Sequence, residues 1–211
     1  MTVYLIIAVS ILIFFFIFLQ KSGLFWHIFR EKGTVYLTFD DGPQKDLTEK
    51  ILSILEEENV KATFFCVGEN VQRYPEIFEK IRKNGHAIGN HTMKHLHGWK
   101  SPNKIYFEDI AEANKLINSK LFRPPHGKMR FSQWWQLRKS FRIVFWTKIA
   151  YDWKKSNTPE KCFRLTKSVA KYGGIVVLHD NVKAEKNMLG VLPLFIKEAK
   201  KNGLIFKTLS A

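Results

Sequence analysis

After residue 33, short runs of β-branched and aromatic residues alternate with charged segments that have a helical period. This pattern is typical of βα units, in which each buried strand is followed by a helix that covers the sheet. We predict strands at 34–39, 62–67, 87–89, 121–123, 143–147, 175–179 and 205–208. We predict helices at 47–58, 75–84, 105–118, 132–140, 159–172 and 192–202. Seven parallel strands predict a small, irregular (β/α) barrel, or a doubly wound open sheet if the barrel does not close.

The chain begins with an apolar stretch over residues 3–19 that only Ser10 interrupts. Its length is close to the roughly 20 residues that a helix needs to cross the hydrocarbon core of a bilayer. A cleavable signal would have a charged start and small residues at the cut, and this segment has neither. We therefore expect residues 1–20 to form one uncleaved transmembrane helix, residues 21–33 a juxtamembrane segment and residues 34–211 the folded domain.

Composition and charge narrow the class of protein. The length of 211 residues predicts one domain. Hydrophobic residues make up 45% of the chain and charged residues 25%, which indicates a globular chain and excludes disorder or a collagen-like fibre. The formal charge of +15 lies entirely beyond residue 20, and such a field attracts nucleic acid, anionic lipid or acidic glycan alike. We expect no nucleic-acid partner, because no dense basic run or RNA-binding aromatic motif occurs. Cys66 and Cys162 lie far apart in apolar surroundings, which predicts two buried free thiols.

Two carboxylates stand at the end of the first predicted strand, where parallel βα folds place their functional loops. Asp40 and Asp41 are followed by the turn-forming pair Gly42-Pro43. Adjacent carboxylates repel when both are charged, and a cation relieves that repulsion, so one can bind a metal while the other accepts a proton. The alternative is an Asp-rich turn that caps the next helix.

Two histidines follow the third predicted strand. His91 and His95 are four residues apart, so on a helix they would share one face and could bind one metal ion. A surface histidine pair without a metal is the alternative. Together with one Asp they would form a mixed oxygen and nitrogen site, which favours zinc or another first-row divalent ion and leaves positions for water and substrate.

Further groups of this kind follow the later strands, and five groups together form a recognisable series. In chain order they are Thr38-Phe39-Asp40-Asp41-Gly42-Pro43, Gly89-Asn90-His91-Thr92, Arg123-Pro124-Pro125-His126-Gly127, Asp152-Trp153 and Val177-Leu178-His179-Asp180. The series resembles the polysaccharide deacetylase family, the NodB-like carbohydrate esterases of family four. The resemblance covers essentially the whole folded domain. It implies a distorted (β/α) barrel and a metal-dependent hydrolase that removes the N-acetyl group of an amino sugar in a glycan and releases acetate.

The resemblance also implies which residues perform the chemistry. Asp41, His91 and His95 would bind one divalent metal ion, with zinc as the first choice. Asp40 would be the general base that takes a proton from the attacking water, and His179 would protonate the departing sugar nitrogen.

Other residues would tune or assist these groups. Arg123 would pair with the general base, and Asp152 would favour the protonated form of the general acid. The backbone N–H that follows Pro125 would stabilise the oxyanion, and Trp153 would form an apolar wall for the sugar. The family commonly has Tyr or Phe where this chain has His126, whose imidazole could alter substrate contacts or compete for the metal.

Several questions stay open at the level of sequence. Ile149 stands where many relatives have a further acid, which predicts a less polar acceptor site. An amidase or deformylase of the same family, acting on a lipid-linked sugar or a small molecule, is an alternative function. A catalytically silent, membrane-tethered glycan-binding module is another, although such a module has no need of a base, an acid and both of their partners.

The side of the membrane on which the domain lies is also open. Lys21, Arg30 and Lys32 follow the predicted anchor, and the positive-inside rule then favours the cytoplasm. The family resemblance favours an extracytoplasmic domain. Nothing in the sequence indicates an oligomeric state.

Overall fold

The computed structural model of the protein describes residues 31–210, which form alternating strands and helices. The predicted transmembrane anchor and most of the juxtamembrane segment lie outside these residues, so both stay predictions. Within residues 31–210, no helix is both long enough and apolar enough to span a bilayer.

The order of elements follows the predicted βα alternation. The strands are β1 (Thr34–Asp40), β2 (Thr63–Cys66), β3 (Ala87–Asn90), β4 (Leu121–Phe122), β5 (Arg142–Ile143), β6 (Lys148–Ile149), β7 (Gly174–His179) and β8 (Ile205–Phe206). The helices are α1 (Leu47–Glu57), α2 (Gly68–Arg73), α3 (Pro75–Lys83), α4 (Asn103–Ile117), α5 (Phe131–Leu137), α6 (Pro159–Tyr172) and α7 (Glu185–Lys201). A 3-10 turn at Pro125–Gly127 follows β4.

All of the strand pairs are parallel, and the strands run in the order β5-β4-β3-β2-β1-β7-β6, with β8 paired to the start of β1. Within the described part of the chain, no ladder joins β5 to β6, so the curled sheet stays open on that side. The parallel α/β architecture is therefore confirmed, and the open, curled sheet fits the distorted barrel that was predicted.

The central strands are apolar because both of their faces are buried. Helices α1, α3, α6 and α7 cover one face, and the largest apolar cluster lies between them and the sheet. A smaller cluster on the other face includes Phe65, Leu121 and Ile175. Strands buried in this way read as continuous hydrophobic runs rather than alternating ones. Cys66 and Cys162 are buried and free, as predicted.

The single strand predicted over 143–147 is wrong. The chain forms β5 at one edge of the sheet and β6 at the other, and residues 144–147 cross the open side between them. The carbonyl groups of Val144 and Phe145 accept hydrogen bonds from the Arg123 guanidinium, at 3.3 and 3.4 Å, instead of extending a ladder.

Three helices differ from the prediction by more than two residues, and the first of them, α5, ends at Leu137 rather than at residue 140. Helix α7 begins at Glu185 rather than at residue 192, and Pro193 lies inside it. The first turn of this helix is polar and shows no apolar period, so the start could not be identified from the sequence. Helix α2, with 6 residues, was not predicted because it is too short to show a period.

Candidate active site

A cavity of about 740 Å³ opens at the carboxyl ends of β1, β3, β4 and β7. Most of the candidate residues from the sequence line it, together with several that the sequence did not indicate. The lining comprises Asp40, Asp41, His91, His95, His126, Lys128, Trp146, Ile149, Tyr151, Trp153, His179, Asn181, Val182 and Lys183.

Asp40 ends β1 and forms a buried ion pair with Arg123. The Nη1 atom of Arg123 donates to Oδ1 of Asp40 at 2.6 Å and to Oγ1 of Thr38 at 2.8 Å. The guanidinium also lies 4.0 Å above the ring of Phe65. Burial lowers the pKa of Arg123, and the charge of Asp40 opposes that shift. Separating the two charges would leave each of them buried without a partner, which is strongly unfavourable. The ion pair therefore holds the Asp40 carboxylate in place.

Asp41 is held in an unusual backbone conformation at the next position. Its φ is 80°, in the left-handed region, and its backbone carbonyl accepts a 2.7 Å hydrogen bond from Asn70. Asn181 donates to Oδ2 of Asp41 at 2.6 Å. The following residue must be glycine, because a Cβ on Gly42 would lie 2.1 Å from Oδ2 of Asp180. The carboxylates of Asp40 and Asp41 both line the cavity, but they have different hydrogen-bond partners.

The side chain of Asp41 lies against the two histidines. Its Oδ1 is 3.1 Å from Nε2 of His95 and 3.5 Å from Nε2 of His91, and one ligand atom from each of the three residues lies within 4.8 Å of the others. Burial acts to raise the pKa of Asp41, but His91 and His95 hold it well below its usual range.

Two observations show that this set fits a divalent metal ion. Oδ1 of Asp41 is buried and receives no well-directed hydrogen bond from the described residues. Nδ1 of His91 lies 2.7 Å from the backbone carbonyl of Arg123, which can only accept, so Nδ1 carries the proton and Nε2 is left as a ligand atom. Metal-binding histidines are commonly oriented in this way. One carboxylate and two imidazoles could therefore hold zinc or a similar ion.

His179 ends β7 and is paired with the fully buried Asp152. Nδ1 of His179 is 2.8 Å from Oδ1 of Asp152, and the backbone N–H of His179 donates to Oδ2 at 2.7 Å. Burial alone would lower the pKa of His179, but the charge and hydrogen bond of Asp152 raise it to about 9. The edge of Trp153 packs against the imidazole, with ring centroids 4.3 Å apart. The imidazole can therefore carry a proton at neutral pH.

The register of the sheet brings Asp40 and His179 to the same cavity. The two residues are direct partners in the β1–β7 ladder. His91 follows β3, and Arg123 follows β4 on the same side of β1. A buried carboxylate, an imidazole and three residues that could hold a metal ion therefore face one cavity.

The 3-10 turn after β4 holds two of the residues predicted to contact substrate, Pro125 and His126. Pro125 is buried, and His126 has a φ of 60° and lines the cavity. The ring of His126 lies 4.7 Å from that of His95 and 5.1 Å from that of His97, between centroids. Burial, followed by the nearby His95, lowers the pKa of His126 to about 4. His126 is not part of the metal-ligand cluster in the described chain.

Sequence reasoning missed several cavity residues. Asn181 could have been found, because it follows His179 at a strand end. Asn70, which bonds to the Asp41 carbonyl from outside the cavity lining, gave no signal because it lies in a helix that was not predicted. Three further lining residues lie in loops that contain no recognisable motif: Lys128, Tyr151 and Lys183.

Comparison with known proteins is consistent with this geometry. The sequence profile described as polysaccharide deacetylase matches residues 29–141. A peptidoglycan-N-acetylglucosamine deacetylase of Bacillus cereus is 32% identical over 201 residues, covering 91% of this chain and 94% of the relative. A chitooligosaccharide deacetylase of Rhizobium leguminosarum bv. trifolii is 31% identical over 184 residues, covering 84% of this chain and 81% of the relative.

A solved structure is similar at the level of the fold and the sequence. It is a peptidoglycan N-acetylglucosamine deacetylase in complex with 4-naphthalen-1-yl-N-oxidanyl-benzamide. The TM-score is 0.80 at 33% identity, and the match covers 85% of this chain and 87% of the other. The chain belongs to the polysaccharide deacetylase family, and it is a hydrolase that acts on amide carbon–nitrogen bonds other than peptide bonds.

Proposed function

We propose that this protein hydrolyses the N-acetyl group of an amino-sugar residue in a glycan and releases acetate. The observation that carries the proposal is the placement of Asp40, His179 and the Asp41–His91–His95 set around one cavity. Similar proteins are named as deacetylases of peptidoglycan and of chitooligosaccharide, and these names support an N-acetylated glycan as the substrate.

A divalent metal ion, with zinc as the first choice, would be held by Asp41, His91 and His95. When bound, such an ion supplies Lewis-acid chemistry, which lowers the pKa of water and polarises a carbonyl group. Asp40 takes a proton from the attacking water as general base. Arg123 occupies Oδ1 of Asp40, so the proton goes to Oδ2. The water oxygen bonds to the carbonyl carbon of the acetyl group.

His179 acts on the other side of the scissile bond. Its Nδ1 is held by Asp152, so the proton leaves from Nε2 and passes to the sugar nitrogen as the carbon–nitrogen bond breaks. Protonation is needed because an amide nitrogen is otherwise a poor leaving group. The backbone N–H of His126 stabilises the oxyanion, and Trp153 and Ile149 form apolar walls for the sugar and the acetyl methyl group.

The test is acetate release by the full-length chain with added zinc, from N-acetylglucosamine oligomers and from peptidoglycan fragments. We expect Asp40→Asn to lower kcat by about 10²- to 10⁴-fold, the usual contribution of a general base, with bound zinc retained. His91→Ala is expected to lose both activity and zinc. Lys167→Gln is the matched control, because it removes a charge from the exposed face of α6, outside the cavity lining.

Folding must be measured beside activity, because Asp40→Asn leaves the buried Arg123 without its partner. His179→Gln provides a second test that spares this ion pair. Wild-type rates in a folded Asp40→Asn protein would remove Asp40 as the base. No acetate release from any glycan by the folded, zinc-loaded wild type would reject the proposed reaction and favour the small-molecule amidase.

A further inference from the structure

Two ammonium groups line the cavity without any part in the proposed chemistry. Lys128 follows the 3-10 turn after β4, and Lys183 lies between β7 and α7. Since β4 and β7 lie on opposite sides of β1 in the sheet, the two lysines come from opposite sides of Asp40.

Neither lysine forms an ion pair with another residue of the described chain. Lys128 is nevertheless positioned, because its Nζ lies 4.4 Å from the ring centroid of Trp99. The indole is itself fixed, since its Nε1 donates to the backbone carbonyl of Met129 at 2.8 Å. A cation–π contact leaves the positive charge and the N–H donors in place, so Lys128 can still bind an anion.

The acidic side chains that line the cavity already have basic partners. Asp40 and Asp41 are the acidic residues among those that line the cavity. Asp40 pairs with Arg123, and Asp41 lies against His91 and His95. No carboxylate of the lining is therefore left to balance the two lysines, and the overall charge of +15 adds to the positive field.

We propose that Lys128 and Lys183 bind carboxylate groups of the substrate, so that the protein prefers an acidic N-acetylated glycan to a neutral one. Trp99 is a positioning residue that holds Lys128. The inference rests on the proposed function and adds the charge class of the substrate to it. The carboxylate can belong to a sugar of the glycan or to a peptide attached to it, and the experiment separates these sources.

The experiment compares three glycans: neutral N-acetylglucosamine oligomers, peptidoglycan strands freed of peptide, and strands that keep their peptides. The measured quantity is the ratio of kcat/KM on each acidic glycan to kcat/KM on the neutral one, for the full-length chain with zinc. We expect Lys128→Gln and Lys183→Gln each to lower this ratio roughly two- to fivefold, and the double variant about tenfold, at low ionic strength. The effect should weaken as salt is added. Lys167→Gln, the control, keeps the ratio of the wild type.

The pattern of loss identifies the source of the carboxylate. A lower ratio on both acidic glycans assigns the lysines to the sugar carboxylate, and a lower ratio only with peptides present assigns them to the peptide. Acetate release with an unchanged ratio in the double variant overturns the inference and leaves the proposed function intact.

If the wild type releases no acetate, the proposed function fails and the inference is judged by calorimetric binding of the same glycans. Weaker binding of acidic strands by the double variant than by Lys167→Gln would still support it. Equal binding would reject it.

Discussion

At the scale of single residues, two buried carboxylates differ in the kind of cation that accompanies them. Asp40 is paired with a guanidinium, which keeps its proton at neutral pH. Asp152 is paired with an imidazole, whose proton can leave. Under the proposed function, the first pair would hold the proton acceptor in place, and the second would store the proton for transfer.

The charge of Asp152 should set the alkaline limit of activity. His179, whose pKa is raised to about 9, is protonated at lower pH, so kcat/KM should fall as the pH rises through about 9. In Asp152→Asn the raising charge is lost, and we expect the alkaline limb to move down towards the ordinary imidazole value of 6.5. A pH profile of kcat/KM from pH 5 to pH 10 measures the shift, with Lys167→Gln as control. An alkaline limb that does not move in Asp152→Asn would show that another group donates the proton.

Site residues could be predicted from the sequence where their chemistry coincided with a strand end. Asp40, His91 and His179 meet this condition and line one cavity. Arg123 also follows a strand, and it is buried behind the cavity, where it pairs with Asp40. Lys128 does not follow a strand directly, and its ammonium is positioned by a contact with the ring of Trp99, which is distant in sequence. Contacts of this kind come from tertiary packing, which local patterns do not encode.

At the scale of elements, the packing of β2 against β3 positions the ring on which the Arg123 guanidinium lies. Phe65 of β2 lies directly opposite Gly89 of β3 in the parallel ladder. A Cβ on Gly89 would lie 2.4 Å from two carbon atoms of the Phe65 ring. The Arg123 guanidinium that pairs with Asp40 lies over the same ring, so a side chain at residue 89 would press Phe65 towards this ion pair.

We expect Gly89→Ala to reduce both stability and activity. Overpacking of this kind costs about 1–3 kcal/mol, and displacing Phe65 shifts the guanidinium that holds Asp40. Urea unfolding and acetate release measure the two effects.

Gly203→Ala is the control for stability alone. Its φ of 70° strains an alanine, by about 1–3 kcal/mol, while a Cβ there meets no atom within 4 Å. It lies before β8, at the opposite end of the sheet from the cavity. If Gly89→Ala lost no more activity than Gly203→Ala at equal stability, Phe65 would have no part in positioning the base.

Elements with a clear hydrophobic pattern could be predicted from the sequence. The prediction was wrong where tertiary contacts decide the local structure. Strands β1, β2 and β7 are buried on both faces and their apolar runs identified them. The predicted strand over 143–147 also has an apolar run, but the carbonyls of Val144 and Phe145 bind Arg123 instead of a neighbouring strand. Helix α7 begins at Glu185, before its predicted start at residue 192, because its polar first turn shows no apolar period.

At the scale of the whole molecule, a metal ion bound at the proposed site would join the loop after β1 to the loop after β3. A ligand that binds only the folded state stabilises it by about 4 kcal/mol at a thousandfold excess over Kd. We therefore expect chelation to lower Tm by roughly 2–4 °C for each kcal/mol lost, and added zinc to restore it. In His91→Ala, Tm should no longer respond to zinc. An equal response in wild type and His91→Ala would place the zinc elsewhere.

The pairing of β1 with β7 has a consequence for how the protein is made. The hydroxyl of Thr38 in β1 donates a hydrogen bond to the carbonyl of Val176 in β7, 138 residues later in the sequence. The ladder between these two strands also places Asp40 beside His179. Synthesis from the amino end delivers Asp41, His91 and His95 well before His179. A nascent chain that still lacks β7 therefore has its proposed metal ligands but not its proposed proton donor, so catalytic competence is a late step of its biosynthesis.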